Sequence, residues 1–405
     1  MFKLLFMARD KFPPFRVDIT VLFARELRKR GYEIDWIFQA RKGASKSFTA
    51  RWGGGTAYVG ATRDADNIIS KAIKNLLCWA NDFRIFNILK KRHYDVVVVR
   101  DKIFGALPAM VAARLHGSKF VLWLSYPFVE NDLYQVHKHI APFPLLYLAR
   151  GMLGQFVLYR LLFPFADHVF VQTKYMKEKI AAKYNVPADS MTPVPMGVSL
   201  ESLPKQAEKK QGFTTNMGTK DIVYLGTLMK TRRLDFLIRA FGKVKEKCKD
   251  ARLILVGSWV DPSDEEFLMN EIEKLNLSDS VIITGQLEQK KAWEIVRRAD
   301  VCVSPICPSP ILDCGSPTKM IEYMALGKAV VANDHPEQKE ILEDCKAGLC
   351  VAWDEKEFAE AMIFLLKNPE EAAKMGTTGC KYIFSKRNYE SLAGIVNAKL
   401  LEIID

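Results

Sequence analysis

Apolar positions along the chain recur with two different periods, and segments of the two kinds alternate. Short, mainly apolar runs at residues 2–8, 34–39, 95–99, 119–124, 168–172 and 192–195 predict buried strands. Between them, residues 21–29, 67–92, 105–115 and 174–184 repeat apolar side chains three and four apart, which predicts helices. Strands and helices in alternation predict a parallel sheet covered on both faces. Residues 10–20 read as a loop. Gly53-Gly54-Gly55 reads as a turn, because no Lys-Ser/Thr pair follows to make a phosphate loop. Residues 144–163 are the most apolar helix candidate. Arg150, Gln155 and Arg160 interrupt them, which favours a core or interfacial helix over a membrane span.

The pattern lapses at residues 199–220, which are polar and then rich in Thr, Asn and Gly, and so predict a linker. It resumes with strands at 222–225, 252–256, 281–284, 301–305, 328–332 and 348–351, separated by helical segments. The expected organisation is therefore α/β with two doubly wound domains. Residues 1–200 form the first, 201–220 the linker and 221–380 the second, with residues 381–405 closing the chain. In open parallel sheets ligands bind beyond the carboxyl ends of the strands. The tips are Arg9-Asp10, Arg100-Asp101, Ser125-Tyr126 and Met196-Gly197 in the first half. In the second they are Gly226-Thr227, Gly257-Ser258, Gly285-Gln286, the segment from Pro305 and Asn333.

Composition adds three constraints. No run of 18 uncharged apolar residues occurs, and the start of the chain reads as a first strand rather than a signal peptide. The eight cysteines are scattered, as reduced cytosolic thiols are, and Cys302, Cys307 and Cys314 fit no zinc spacing, so no metal is expected. Asp64-Ala65-Asp66 reads as a solvated, capping pair. Charge is uneven: residues 1–200 hold 30 Lys+Arg against 15 Asp+Glu, while residues 201–405 hold 29 against 32. A basic half suits nucleic acid or an anionic membrane. The apolar stretch at 140–165 favours the membrane, so peripheral contact with a cytoplasmic membrane face is expected and nucleic acid is not.

The densest candidate chemistry lies at residues 314–332. Gly315 lets a ligand approach the backbone, Ser316 suits a helix N-cap, and Pro317 suits the first helical position. Met320, Ile321, Met324 and Ala325 form the buried face, and Gly327 ends the helix. Backbone N–H groups at Ser316 to Lys319, Thr318 included, make an anion site at the helix start, and Lys319 adds a positive charge. Glu322, three residues on, lies on the same side and can accept hydrogen bonds from paired sugar hydroxyls. Phosphate and a diol one helical turn apart describe the end of a nucleotide.

These residues carry a resemblance. The stretch from Tyr224 to Phe241 resembles the strand–loop–helix that opens the donor domain of family 4 retaining glycosyltransferases. Residues 252–257 and 281–285 resemble its next two strands, residues 316–332 its most telling motif, and residues 192–198 the end of its acceptor domain. The resemblance implies a GT-B fold, with two Rossmann-like domains facing a cleft and the last helices crossing back to the first domain. It implies a UDP- or GDP-sugar donor, a hexosyltransferase-like activity and no required cofactor. On this resemblance Arg232 meets the donor diphosphate, with Arg233 as its neighbouring substitute. Glu322 holds the ribose, Gly315 to Met320 offer N–H groups, and Gly285 and Leu287 flank the base. Gly226 and Thr227 lie at the first tip, where the family often has Arg after the glycine. Cys314 stands where the family often has a first glutamate, with Asp313 adjacent. Ser125-Tyr126, with Glu130 nearby, stand where many members carry a histidine.

The chemistry expected is cleavage of an anomeric carbon–phosphate bond. Arg232, Lys319 and the helix start stabilise the charge growing on the diphosphate. Asp313 and Tyr126 are the remaining catalytic candidates. In retaining enzymes of this kind the leaving phosphate takes the acceptor's proton. Arg16, Asp18, Arg100, Asp101, Ser125 and Glu130 are the acceptor-binding candidates, against a plainer role in salt bridges and loop caps. The acceptor is expected to be a glycan or lipid-linked. A nucleotide-sugar epimerase of the same fold and a non-catalytic nucleotide-sugar binder are the alternatives.

Overall fold

The computed structural model describes residues 2–41, 44–62, 68–204 and 218–405. Asp64 and Asp66, and most of the expected linker, lie outside the described residues. The chain separates into two compact units, Met1–Pro195 with Tyr389–Asp405, and Met196–Asn388.

The first unit holds strands β1 (Phe2–Phe12), β2 (Tyr32–Ala40), β3 (Phe48–Trp52), β4 (Gly55–Gly60), β5 (Val96–Arg100), β6 (Lys119–Leu124), β7 (His168–Val171) and β8 (Met191–Pro193). Their order is β3-β4-β2-β1-β5-β6-β7-β8, and only β3 runs antiparallel to its neighbour. Every residue of β5 is buried, because helices cover both faces of the sheet. On one face Ile19, Leu22 and Phe23 of helix Asp18–Leu27 and Leu392, Val396 and Leu400 of helix Tyr389–Ile404 pack on Leu4, Phe6, Trp36 and Val98. The closing helix thus belongs to the core of the first unit, although residues 381–388 fall in the second.

One expectation needs correction here, while the glycine turn stands and lies between two strands that the apolar pattern does not mark. The supposed loop at 10–20 is shorter, because β1 continues to Phe12 by pairing Lys11 and Phe12 with Gln39 and Ala40 past an irregularity. The glycine turn closes a hairpin between β3 and β4. Gly53 and Gly54 both take positive φ, +57° and +80°, as a two-residue hairpin turn demands. These strands are short and β3 is largely exposed, so they lack the apolar run that marked the others.

The second unit holds β9 (Lys220–Leu225), β10 (Ala251–Val256), β11 (Val281–Ile283), β12 (Val301–Ser304), β13 (Val330–Asn333) and β14 (Gly348–Val351). All pairs are parallel, in the order β11-β10-β9-β12-β13-β14. Alternate residues of each strand feed two cores. Ile222, Tyr224, Leu253 and Val303 pack under helices Leu234–Lys247 and Glu355–Lys367. Val223, Ile254, Cys302 and Val330 pack under helices Gln289–Arg298 and Thr318–Ala325. The strand order reverses between β9 and β12, where a doubly wound sheet opens its ligand crevice. Among the described residues, no helix is long and apolar enough to cross a membrane.

Candidate functional site

In the second unit the crevice is built from the segments that follow β9 and β12. The end of β9 is held from below: the Leu225 N–H donates to Tyr323 Oη at 2.6 Å and the Gly226 N–H donates to the Val256 carbonyl at 3.0 Å. Thr227 is exposed, Leu228 turns inward, and a short turn at Lys230–Arg232 leads to helix Leu234–Lys247. The adjacent arginines then diverge. Arg233, with φ +52°, turns its guanidinium onto Asp235, with contacts of 3.0 and 2.9 Å. Arg232 is exposed and meets no carboxylate among the described residues.

Lys319 reaches the same locality from the other side of the crevice. Its Nζ donates to Tyr224 Oη at 2.9 Å and sits 4.0 Å from the centre of that ring. Burial pushes the ammonium down to about pKa 7, and the positive charge of Arg232 pushes the same way. Burial also pushes Tyr224 up to about 12, against the pull of Arg232. The two charges are thus near enough to oppose each other, and among the described residues neither has a carboxylate partner, an arrangement suited to an anion.

Glu322 follows one turn on, and burial pushes it up to about pKa 7. Trp293 and Gln289 oppose that rise, and the Gln289 amide donates to Glu322 Oε1 at 3.4 Å. Lys319 and Glu322 do not spend their charges on each other. Leu287 packs against the core cluster that holds Met320 and Ile321, and Gly285 precedes it with φ +70°.

The helix start differs from the expected cap. Pro317 has ψ +82°, outside the helical range, so the helix begins at Thr318 and Pro317 takes the cap position. The Ser316 hydroxyl accepts from the Met196 N–H at 3.0 Å instead of from its own helix. Gly315 and Thr318 donate their N–H groups to Leu312 and Ser316. The first-turn N–H groups of Lys319 and Met320 remain, with no carbonyl one turn back inside the helix.

The loop leading in is latched. The Asn333 amide bonds the Ile306 backbone in both directions, at 2.7 and 3.0 Å, and His335 Nε2 lies 3.0 Å from the Leu312 carbonyl. Asp313 accepts from the Ser309 N–H at 3.3 Å, and the buried Cys314 thiol donates to the Pro310 carbonyl at 3.4 Å. Both therefore stabilise the loop that carries Gly315. Tyr224 and Tyr323 lie within the stretches that carry the resemblance, which gives them no role, and Gln289, Trp293 and His335 lie outside them. The one available signal was Tyr224, a polar tip two residues before a strand-end glycine.

In the first unit Arg16, Asp18, Arg100, Asp101 and Ser125 come together as one network. Arg100 is only 1% exposed and bonds Asp10 and Asp18 at 2.7 Å each, with Asp101 at 3.2 Å. Those carboxylates hold its pKa above the usual arginine value in spite of burial. Asp101, pushed up by burial, accepts from the Ser125 N–H at 2.8 Å and from its hydroxyl. Arg16 reaches Asp10 at 3.0 Å. Glu130 stands apart from this network and accepts from the Tyr159 and Tyr184 hydroxyls at 2.7 and 2.8 Å. Tyr126 donates to Asn131 at 3.2 Å and stacks edge-on with Phe128.

Two doubly wound domains in one chain are the make-up of a GT-B fold, and the solved structures that superpose on this chain are of that class. Sucrose-phosphate synthase from Thermosynechococcus elongatus superposes with a TM-score of 0.70 at 17% identity, over 99% of this chain and 100% of that one. HepE of Anabaena, solved in complex with UDP and glucose, gives 0.67 at 12% identity over 99% and 100%. Residues 19–202 match the model of Glycosyltransferase Family 4, and residues 205–382 match that of Glycosyl transferases group 1. Taken in chain order, the two matches give the chain the two domains of a GT4-type glycosyltransferase of GT-B fold. Among curated relatives, an uncharacterized glycosyltransferase of Methanocaldococcus jannaschii is 24% identical over 67% of this chain and 65% of its own length. A phosphatidyl-myo-inositol mannosyltransferase of Mycobacterium leprae is 29% identical over 43% of this chain and 44% of its own. The matched stretches thus span less than two thirds of either relative.

Proposed function

We propose that this protein transfers a sugar from a nucleoside-diphosphate sugar, a UDP- or GDP-sugar, to a hydroxyl acceptor. The reading rests on one observation above all: Lys319 and Arg232 share a site at a helix start, with Glu322 one turn on. The diphosphate lies against Lys319, Arg232 and the first-turn N–H groups, and Glu322 takes the ribose hydroxyls. As the anomeric bond breaks, negative charge grows on the diphosphate. Fixed cations and N–H donors strengthen with it, so the step proceeds without a metal. The leaving phosphate accepts the acceptor's proton from the same face, which retains the anomeric configuration and asks no strong base of the protein.

The acceptor is a glycan or a lipid-linked hydroxyl at the cytoplasmic membrane face. In support, helix Pro144–Phe156 exposes Leu145, Leu146, Met152 and Leu153, and Phe143 stands exposed just before it. Exposed apolar patches of this kind mark contact surfaces. Incubation with a panel of UDP- and GDP-sugars, with release of nucleoside diphosphate as the readout, tests the activity. Release with one sugar, lost in Lys319→Ala, is expected. A non-catalytic binder is the second reading, favoured by Asp313 and Cys314 being spent on their own loop. It requires nucleotide binding without release under any acceptor offered.

A further inference from the structure

The first unit carries a cavity that its buried ion network does not account for. Its strand order reverses between β1 and β5, and a doubly wound sheet takes ligands at such a reversal. There a cavity of about 620 Å³ opens, within the about 300–1,000 Å³ usual for small-molecule sites. Asp10 and Asp101 line it, but both are spent on Arg100, and Asp10 on Arg16 as well. The other cations on its wall have no carboxylate among the described residues. Arg9 lies over the Phe128 ring at 4.3 Å, and Arg41 donates to the Pro13 carbonyl at 2.9 Å and stands 5.8 Å from the centre of the Phe15 ring. Lys11 is exposed beside them. Aromatic rings hold a guanidinium in place without neutralising it. Like charges gathered around one cavity repel each other, and a bound anion removes that cost.

We infer that this cavity binds a phosphate group carried by the acceptor, with Arg9 and Arg41 as its contacts. Guanidinium forks match phosphate oxygens in pairs, which a lone lysine cannot do. The inference rests on the proposed transfer reaction and narrows its acceptor to a phosphorylated one. It also moves recognition away from Arg100, Asp18 and Asp101, whose charges are satisfied internally, to exposed neighbours that belong to no motif.

The test is calorimetry on the full chain with glucose, glucose 6-phosphate and phosphatidylinositol vesicles, each with and without added salt. Binding of glucose 6-phosphate but not glucose, weakened by salt, is expected for a soluble acceptor. Binding confined to the vesicles assigns the phosphate to a lipid headgroup. In either case the double variant Arg9→Gln, Arg41→Gln loses about tenfold or more in affinity. Its thermal midpoint does not fall below the wild-type value, since two repelling charges are gone, and Lys90→Gln, remote from the cavity, binds as the wild type does. Equal binding of glucose and its phosphate, no binding by either phosphate probe, or an unaffected double variant would each overturn the inference. UDP and GDP titrated into the same samples read the other unit. If a nucleotide binds and the phosphate probes do not, only this inference fails. If the phosphate probes bind and no nucleotide does, it is the donor reading that fails.

Discussion

Lys319 is a lysine held close to its own titration point, and Glu322 is a carboxylate held there from the opposite direction. Below about pH 7 the ammonium is charged and meets a diphosphate well. Above about pH 7 the carboxylate is charged and meets a ribose diol well. Nucleoside diphosphate affinity should therefore peak near neutral pH and fall on both sides, as calorimetry across pH 5.5–8.5 would show; a flat profile contradicts the site. Stability carries the same signature. The folded protein keeps the Glu322 proton up to about pH 7, whereas the unfolded chain gives it up near 4.5. The Glu322 contribution to stability is thus greatest below 4.5 and is lost as pH rises through 7. Lys319 acts with the opposite slope at higher pH: its folded-state pKa is depressed from 10.5 to about 7, so its stability penalty is full below pH 7 and relieved as pH rises towards 10.5. Glu322→Gln should flatten the fall between pH 4.5 and 7 in urea titrations. Arg232→Ala should weaken nucleotide binding by about 1.5–3 kcal/mol, the worth of a charged hydrogen bond. Arg233→Ala should cost at most a few-fold in binding, because that guanidinium is already committed to Asp235.

Elements set where these side chains can stand. The ends of β9 and β10 meet through glycines, and a Cβ on Gly257 would lie 1.9 Å from the Gly226 carbonyl oxygen. Backbone cannot yield there as a side chain would. Gly257→Ala should destabilise by about 3 kcal/mol in urea unfolding and displace the Gly226–Arg232 segment, so nucleotide binding should fall with it. Helix Thr318–Ala325 is fixed on its buried side by Met320, Ile321, Tyr323 and Met324, all fully buried. Tyr323 ties it to β9, and Tyr224 of β9 reaches back to Lys319. Tyr224→Phe keeps the ring and removes only the acceptor for Lys319. It should lower nucleotide affinity several-fold with little change in stability.

The whole chain carries its excess positive charge in the first 200 residues, and the exposed apolar helix Pro144–Phe156 lies there too. Charge draws a protein towards anionic lipid over about a Debye length, and apolar side chains then anchor it. Sedimentation with vesicles containing anionic lipid should show binding that salt weakens. Leu145→Ser with Leu146→Ser should reduce it at low salt, since both leucines are exposed and contribute little to the core. Binding that neither salt nor these substitutions changes would contradict the membrane reading.

The sequence by itself determined the alternation of strands and helices, the six strands of the second unit, and the segment from Gly315 to Glu322 as the place proposed for a nucleotide. Those features follow from local periodicity and helix-end chemistry, which neighbouring residues settle among themselves. The β3–β4 hairpin escaped because a short, exposed strand leaves no apolar run. Only the tertiary structure decided which of Arg232 and Arg233 remains uncommitted, since Asp235 takes one of them. It alone placed Tyr224 under Lys319, and it alone enclosed Arg100 among Asp10, Asp18 and Asp101 while leaving Arg9 and Arg41 at a cavity wall. A charge becomes structural or available according to which partners the fold brings within reach, whether two residues away, as Asp235 is from Arg233, or more than eighty, as Asp10 and Asp18 are from Arg100. Periodicity reports which face of an element is buried; it carries no information on which carboxylate will meet which arginine.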